Sequence, residues 1–310
     1  MTTPVAVGAR PPLQDRGRAR LPDRSGVAVA PDGVRIAWDA YGDGSPTLLL
    51  LPSAPIVHSR QWKAQVPYLA RHFRVVTFDG RGNGRSDRPL EGTAYAIPRI
   101  VEDVRAVMDA SDTASAVFVT LCVDGLWPAV ELAATEPERI DGVVAFAVGV
   151  PFLTPGHPHW SDHSFHDELD AYEGWSRHNR HAWRADYRGW LEFYFDQCLP
   201  EPHSTKPHED IVGWALEGSV DVMLAEAEAP VDRDRASMEA LCRAFDRPLL
   251  LVHGTRDPCQ PLDRAERMAE LTGAPLVVVE GAGHLIPARH PVLANLLVRD
   301  FVRSLEGGPS

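Results

Sequence analysis

Six short runs dominated by apolar side chains, at residues 47–51, 73–78, 116–119, 140–147, 248–252 and 276–279, set the strongest limit on what this chain can become. Runs of this kind suit strands buried on both faces, where neither face needs a polar side chain. Stretches with helical spacing follow them, at 60–71, 99–111, 126–134, 262–271 and 291–305. Strands alternating with helices imply βαβ crossovers, and hence a mostly parallel sheet flanked by helices. Upstream, 27–30 and 34–41 alternate around Pro31-Asp32-Gly33, where proline presets φ and glycine accepts positive φ. The chain therefore opens on a hairpin, and the predicted fold class is α/β.

The alternation stops between 149 and 234. Five of the eight tryptophans and eight of the thirteen histidines fall there, and helical spacing appears at Trp183, Tyr187, Trp190, Leu191 and Tyr194. This segment reads as a helical cap inserted into the sheet domain. The 310 residues suffice for one large domain with such an insertion. The expected division is a disordered leader over 1–25, a first part of the core over 26–148, the cap over 149–234, and the rest of the core over 235–310. The leader is rich in Arg and Pro and lacks the apolar segment of a signal peptide. No run is long enough to span a bilayer. A formal net charge of -12 argues against a nucleic-acid or anionic-membrane partner, since both require a basic surface. The four cysteines, Cys122, Cys198, Cys242 and Cys259, form no CxxC pair, so they are expected to be free thiols in a reducing cytoplasm. Nothing in the sequence specifies an oligomeric state.

In an open parallel sheet, ligands bind at the carboxyl ends of the strands. Three reactive side chains fall just past such ends, in the order Cys122, Asp257, His284. A thiol becomes a good nucleophile when an imidazole takes its proton, and a helix N-terminus stabilises the thiolate. A carboxylate on the far side of the imidazole fixes its tautomer and supports its charge. The loop after 47–51 supplies backbone N–H groups near Ser53 or Ala54 which, with that of Val123, can face a developing oxyanion. This chemistry needs no cofactor and no metal, and its partner is a small-molecule acyl substrate.

Four segments carry a resemblance: 78–87 (Phe-Asp-Gly-Arg-Gly-Asn-Gly-Arg-Ser-Asp), the turn around Cys122, His253-Gly254-Thr255-Arg256-Asp257, and Gly281-Ala282-Gly283-His284. In this order and spacing the chain resembles the α/β-hydrolase superfamily over 26–305. The resemblance implies a nucleophile, acid and base at Cys122, Asp257 and His284. A cysteine at the apex resembles the dienelactone hydrolases and polyhydroxyalkanoate synthases of that superfamily. Where the family places small residues two before and two after the nucleophile, this chain has Thr120 and Asp124, with glycine only at 125. Pro52-Ser53 replaces the usual His-Gly of the oxyanion loop, and Pro128 falls inside the following helix, past the first turn where proline is comfortable.

Three readings of activity stay open: hydrolysis of an ester, thioester or lactone through an acyl-enzyme; acyl transfer; and a non-hydrolytic ligand-binding or isomerase member of the fold. Asp124 caps the helix, contacts substrate, or acts as a base. An aspartate nucleophile at 124 would put Leu126 where a small residue is needed, which disfavours it. His58, Trp183, Tyr187 and Trp190 are expected to line the substrate pocket, with Cys198 a weaker candidate. Cys242 and Cys259 read as packing residues. His157, His159, His163 and His166 lack the spacing of a helical metal pair, and a metal role is not expected. The glycines of 80–84 do not open a helix, which excludes a dinucleotide fingerprint.

Overall fold

The computed structural model describes residues 20–160 and 165–306. Eight strands form one sheet: β1 (Arg24–Val29), β2 (Arg35–Tyr41), β3 (Thr47–Leu50), β4 (Arg74–Phe78), β5 (Ala116–Leu121), β6 (Ile140–Phe146), β7 (Leu249–Gly254) and β8 (Leu276–Val279). Their order across the sheet is β1-β2-β4-β3-β5-β6-β7-β8. β1 and β2 pair antiparallel and β2 joins β4 antiparallel, while all pairings from β4 to β8 are parallel. The helices are α1 (Val66–Leu69), α2 (Ile97–Ala110), α3 (Cys122–Thr135), α4 (Arg180–Ala185), α5 (Tyr187–Cys198), α6 (Thr205–Ala215), α7 (Val220–Glu226), α8 (Arg235–Ala244), α9 (Leu262–Thr272), α10 (Ile286–Arg289) and α11 (Pro291–Glu306).

The period of two in the strands divides the core into two layers. Leu48, Leu50, Val117, Val119, Val144, Phe146, Leu250 and Val252 point to one face, where they meet α1, α11 and the aromatic residues of α4 and α5. Leu49, Phe118, Val143, Ala145, Leu249 and Leu251 point to the other, against α2, α3, α8 and α9. Both faces of the central strands are thus covered, which is why their sequences are continuously apolar rather than alternating. α4 to α7 all lie between β6 and β7. Asn179 caps α4 by accepting from the His181 amide, and Asp186 caps α5 by accepting from the Gly189 amide. Between these caps sits a ring cluster in which Trp183 and Trp190 are 5.5 Å apart and Trp190 stacks on Tyr194 at 5.1 Å. Among the described residues no helix is long and apolar enough to cross a membrane.

Several expectations are corrected. Residues 20–25, read as part of the leader, are ordered by pairing: the Asp23 amide donates to the Ala40 carbonyl, Asp23 accepts from the Gly42 amide, and β1 already begins at Arg24. Residues 1–19 lie outside the described residues. The helix expected over 60–71 is instead a 3₁₀ turn (Ser59–Trp62) followed by the single turn α1, which has a proline at its start. α3 begins at Cys122 rather than at 126, so the turn after β5 has no loop at all.

Candidate active site

β5 is extended through Leu121, at φ -133° and ψ 131°, and α3 starts at the next residue. The chain can reverse that abruptly only by placing Cys122 at φ 60°, in the left-handed region. A non-glycine residue held there costs about 1–3 kcal/mol, so surrounding packing must impose it. The close approach in this turn falls on Gly125: a Cβ there would lie 3.2 Å from the Thr120 Cβ and 3.4 Å from the Pro52 carbonyl oxygen. The small residue the turn needs is therefore present one position later than the family pattern places it, and this leaves room for side chains at 120 and 124. Thr120 is buried, and its hydroxyl has no hydrogen-bond partner among the described residues.

Asp257 and His284 are brought to the same end of the sheet by the turns after β7 and β8. His284 Nδ1 lies 2.8 Å from Asp257 Oδ2, and both residues are buried. Asp257 Oδ1 accepts from the amides of Cys259 at 2.8 Å and Gln260 at 3.0 Å, which fixes the carboxylate plane. Burial pushes the Asp257 carboxyl up, but the neighbouring His284, then His253 and the Gln260 amide, outweigh it and hold the carboxyl below its ordinary range. Burial likewise disfavours the His284 imidazolium, and the charges of Asp257, Cys259 and Cys122 more than reverse this, so His284 holds its proton well above the usual range. His284 also lies close enough to the Cys122 thiol to act on its proton. That thiol is half-buried; burial pushes it up, His284 pulls it down, and Asp124 and Cys259 push it up again, with a net rise. Gln260 Nε2 lies 3.7 Å from Cys122 Sγ, and Arg264 donates to the Gln260 Oε1 at 2.7 Å.

On the other side of the turn, Ser53, Ala54, Val123 and Asp124 line a pocket of about 280 Å³ together with Tyr95, Trp127 and Glu226. Burial raises the Asp124 carboxyl, an effect partly offset by the nearby amides of Asp124 itself and Ala54 and by the charge of His284. Glu226 is pushed up to about 8 by burial and by the charge of Asp124. The Ser53 hydroxyl donates to Gln61 Oε1 at 2.9 Å. A smaller pocket of about 110 Å³ reaches Leu121 and Leu285, the neighbours of Cys122 and His284, and is walled by Trp62, Ile211 and Trp214.

The sequence-predicted residues thus fall into groups. Cys122, Asp257 and His284 come together, and Val123, Ser53, Ala54 and Asp124 share one pocket. His58 sits in a separate polar network: it is buried, caps the Ser59–Trp62 turn by accepting from the Arg60 amide, and has Glu217 Oε2 3.3 Å away. Trp183 and Trp190 are buried in the ring cluster, and the Trp183 and Trp190 indole nitrogens and the Tyr187 hydroxyl have no hydrogen-bond partner among the described residues. His157 and His159 bond the carbonyls of Asp257 and Pro258, at 2.8 and 2.9 Å, bracing the Asp257 turn. His163 lies outside the described residues. Cys259, read as a packing residue, is buried in the core and is also a neighbour of His284: donor atoms of Asp257, Cys259 and His284 all lie within 4.8 Å of one another. Its place two residues after Asp257 was the available signal. Gln260 was missed as well.

Known proteins share this arrangement of elements. Residues 46–163 match the family model described as alpha/beta hydrolase fold, and residues 222–306 match that of a TAP-like protein. A non-heme chloroperoxidase of Streptomyces lividans is 26% identical over 284 residues, 90% of this chain and 100% of that one. A 2-hydroxymuconate semialdehyde hydrolase of Pseudomonas sp. (strain CF600) is 28% identical over 290 residues, covering 89% and 93% respectively. Among solved structures, a hydrolase from Pseudomonas aeruginosa PA01 superposes with a TM-score of 0.71 at 26% identity, over 90% of this chain and 98% of that one. With its strand order, its abrupt strand-to-helix turn and these matches, the chain has the α/β-hydrolase fold and is an enzyme of that fold.

Proposed function

We propose that this enzyme hydrolyses an ester, thioester or lactone through a Cys122-His284-Asp257 triad. The observation that carries the reading is the 2.8 Å pairing of His284 Nδ1 with Asp257 Oδ2 beside a cysteine held at φ 60° where β5 meets α3. With Nδ1 committed to Asp257, the other ring nitrogen is left to accept the thiol proton. Cys122 Sγ attacks the carbonyl carbon, His284 takes that proton, and the carbonyl electrons move to oxygen. The amides of Val123 and of Ser53 or Ala54 receive the oxyanion; one such donor is worth about 3–4 kcal/mol in the transition state. Collapse expels the alcohol or thiol with the proton from His284, leaving a thioester on Cys122. Water then attacks with His284 as base, and the acid leaves with the free thiol restored. Because burial raises the thiol, proton transfer to His284 accompanies attack rather than preceding it. Helices α4 to α7 act as a cap, whose unpaired Trp183, Tyr187 and Trp190 donors offer polar contacts to the acyl substrate. Relatives whose names describe hydrolases support the class of reaction.

Intact-mass measurement after brief exposure to an activated ester tests the proposal. The expected result is an acyl adduct on Cys122 that Cys122→Ala lacks. A second reading, a ligand-binding or isomerase member with a structural Cys122, is favoured by one observation: the Asp124 carboxyl shares the pocket of Ser53, Ala54 and Val123, where an oxyanion would form. Absence of any adduct across several acyl donors would select it.

A further inference from the structure

A second set of donors converges at the same strand ends, and the proposed acyl chemistry uses only part of it. Cys259 lies in the turn that carries Asp257, and Cys198 is the last residue of α5. Both are buried, and their sulfurs are 3.4 Å apart. Cys259 Sγ, an Asp257 oxygen and a His284 nitrogen all lie within 4.8 Å of one another. Two thiols, one imidazole and one carboxylate is a donor set that a tetrahedral, thiophilic divalent cation of the zinc type accepts. Zn–S bonds of ~2.3 Å and Zn–N bonds of ~2.0 Å, at tetrahedral angles, put two sulfurs ~3.8 Å apart and an N, O pair ~3.3 Å apart. The present 3.4 Å between sulfurs and 2.8 Å between His284 and Asp257 need to open by about half an ångström to fit those bond lengths, and the Cys198 sulfur, which lies outside the 4.8 Å group, must swing in by more than about an ångström as the fourth ligand.

The surroundings are those of a ligating set as well. Asp257 Oδ1 is held by two amides, which leaves Oδ2 to ligate. The Tyr194 oxygen lies 3.3 Å from Cys259 Sγ, accepting from the thiol and able to donate to a thiolate. Outer contacts of this kind orient metal ligands.

We infer that Cys198, Cys259, His284 and Asp257 form an inhibitory site for a soft divalent cation such as Zn²⁺. Binding releases the two thiol protons to solvent and moves the His284 proton from Nδ1 to Nε2, while the cation takes the place between Nδ1 and Asp257 Oδ2. No redox change is involved. The cation-bound imidazole carries its proton on the side facing Cys122 and accepts none from the thiol, so turnover stops.

Co²⁺ is the probe. The full-length chain, stripped of metal by chelator, is expected to bind one equivalent, with thiolate-to-cobalt absorption in the near ultraviolet and tetrahedral ligand-field bands in the visible. Cys198→Ser and Cys259→Ser each weaken Co²⁺ binding by more than the ~10–100-fold that losing an outer-shell contact costs. Cys122→Ser keeps the spectrum. Zn²⁺ bleaches the colour and blocks turnover, and chelator restores both. No thiolate absorption in the wild type overturns the proposal, as does a spectrum lost in Cys122→Ser but kept in Cys198→Ser, which would place the cation on Cys122 and His284. Should Cys259→Ser not fold, the wild-type spectrum and Cys198→Ser decide. The colour is read without substrate, so failure of this site and failure of the triad reading are told apart by the acyl-adduct measurement.

Discussion

Cys122 bears two burdens at once, a left-handed backbone and a thiol whose proton burial holds on. The first predicts a trade between stability and activity. At φ 60° glycine removes a penalty of about 1–3 kcal/mol and adds back the ~0.5–1 kcal/mol of extra entropy it loses on folding. Cys122→Gly is therefore expected to be more stable than Cys122→Ala by about 1 kcal/mol in urea denaturation, while both form no acyl adduct. Equal midpoints for the two variants would show that the turn is not strained. The second burden predicts a pH dependence. Attack requires the His284-Cys122 pair to have given up one proton, and the imidazole and the thiol are both raised above their ordinary values. The acidic limb of kcat/KM should then lie above pH 6.5, the ordinary value for histidine, with activity growing as pH rises through it. A limb below 6.5 in the pH–rate profile would contradict the shift. For stability the sign is opposite: a raised imidazole contributes fully below its unfolded value of 6.5, and that contribution fades as pH rises through the folded value.

The turns that end β7 and β8 touch through backbone, and this contact sets the distance between Asp257 and His284. A Cβ on Gly254 would lie 2.2 Å from the Ala282 carbonyl oxygen and 2.6 Å from that of Gly283, two fixed main-chain atoms just ahead of His284. Gly254→Ala is expected to cost about 1–3 kcal/mol and to lower turnover, because the β8 turn must move away from Asp257. Gly213→Ala, in α6 with nothing within 4 Å of the new Cβ, should instead add up to ~1 kcal/mol and leave turnover unchanged; paired urea melts separate the two. Element by element, the strands were readable because burial on both faces writes an unbroken apolar run, and all six runs are strands within two residues of their expected ends. Residues 60–71 misled because Trp62, Val66 and Leu69 keep helical spacing while a 3₁₀ turn and Pro67 break the helix. The residues at the turn were legible from their places past strand ends, whereas the approach of Cys198 to Cys259 was not: 61 residues separate them, and only the packing of α5 on the sheet closes that gap. That Gly125, already in view in the sequence, takes the close approach expected at 124 was likewise not readable without the Thr120 and Pro52 contacts.

Over the whole molecule, the segment between β6 and β7 holds the His284 turn in place. The His284 amide donates to the Cys198 carbonyl at 3.1 Å, and the Gly283 amide donates to Glu201 Oε1 at 2.8 Å. On the acid's side, His157 and His159 bond the carbonyls of Asp257 and Pro258. The turns of Asp257 and His284 are therefore both tied to one inserted stretch of chain, so under the proposed mechanism a change there reaches the reacting atoms without touching them. Glu201 is the sharpest test, because its carboxylate is buried and holds the residue immediately before the base. Hydrogen bonds to a charged group contribute about 1.5–3 kcal/mol, and a displaced base is felt in the transition state more than in substrate binding. Glu201→Ala is expected to lower kcat by about tenfold or more with KM little changed, and Glu201→Gln, whose side-chain oxygen still accepts from the Gly283 amide, to recover most of the loss. Steady-state kinetics on the two variants decides between positioning and bulk packing. A packing role predicts that KM and melting temperature move together in both variants, whereas a positioning role predicts a kcat loss in the alanine variant that the glutamine variant repairs.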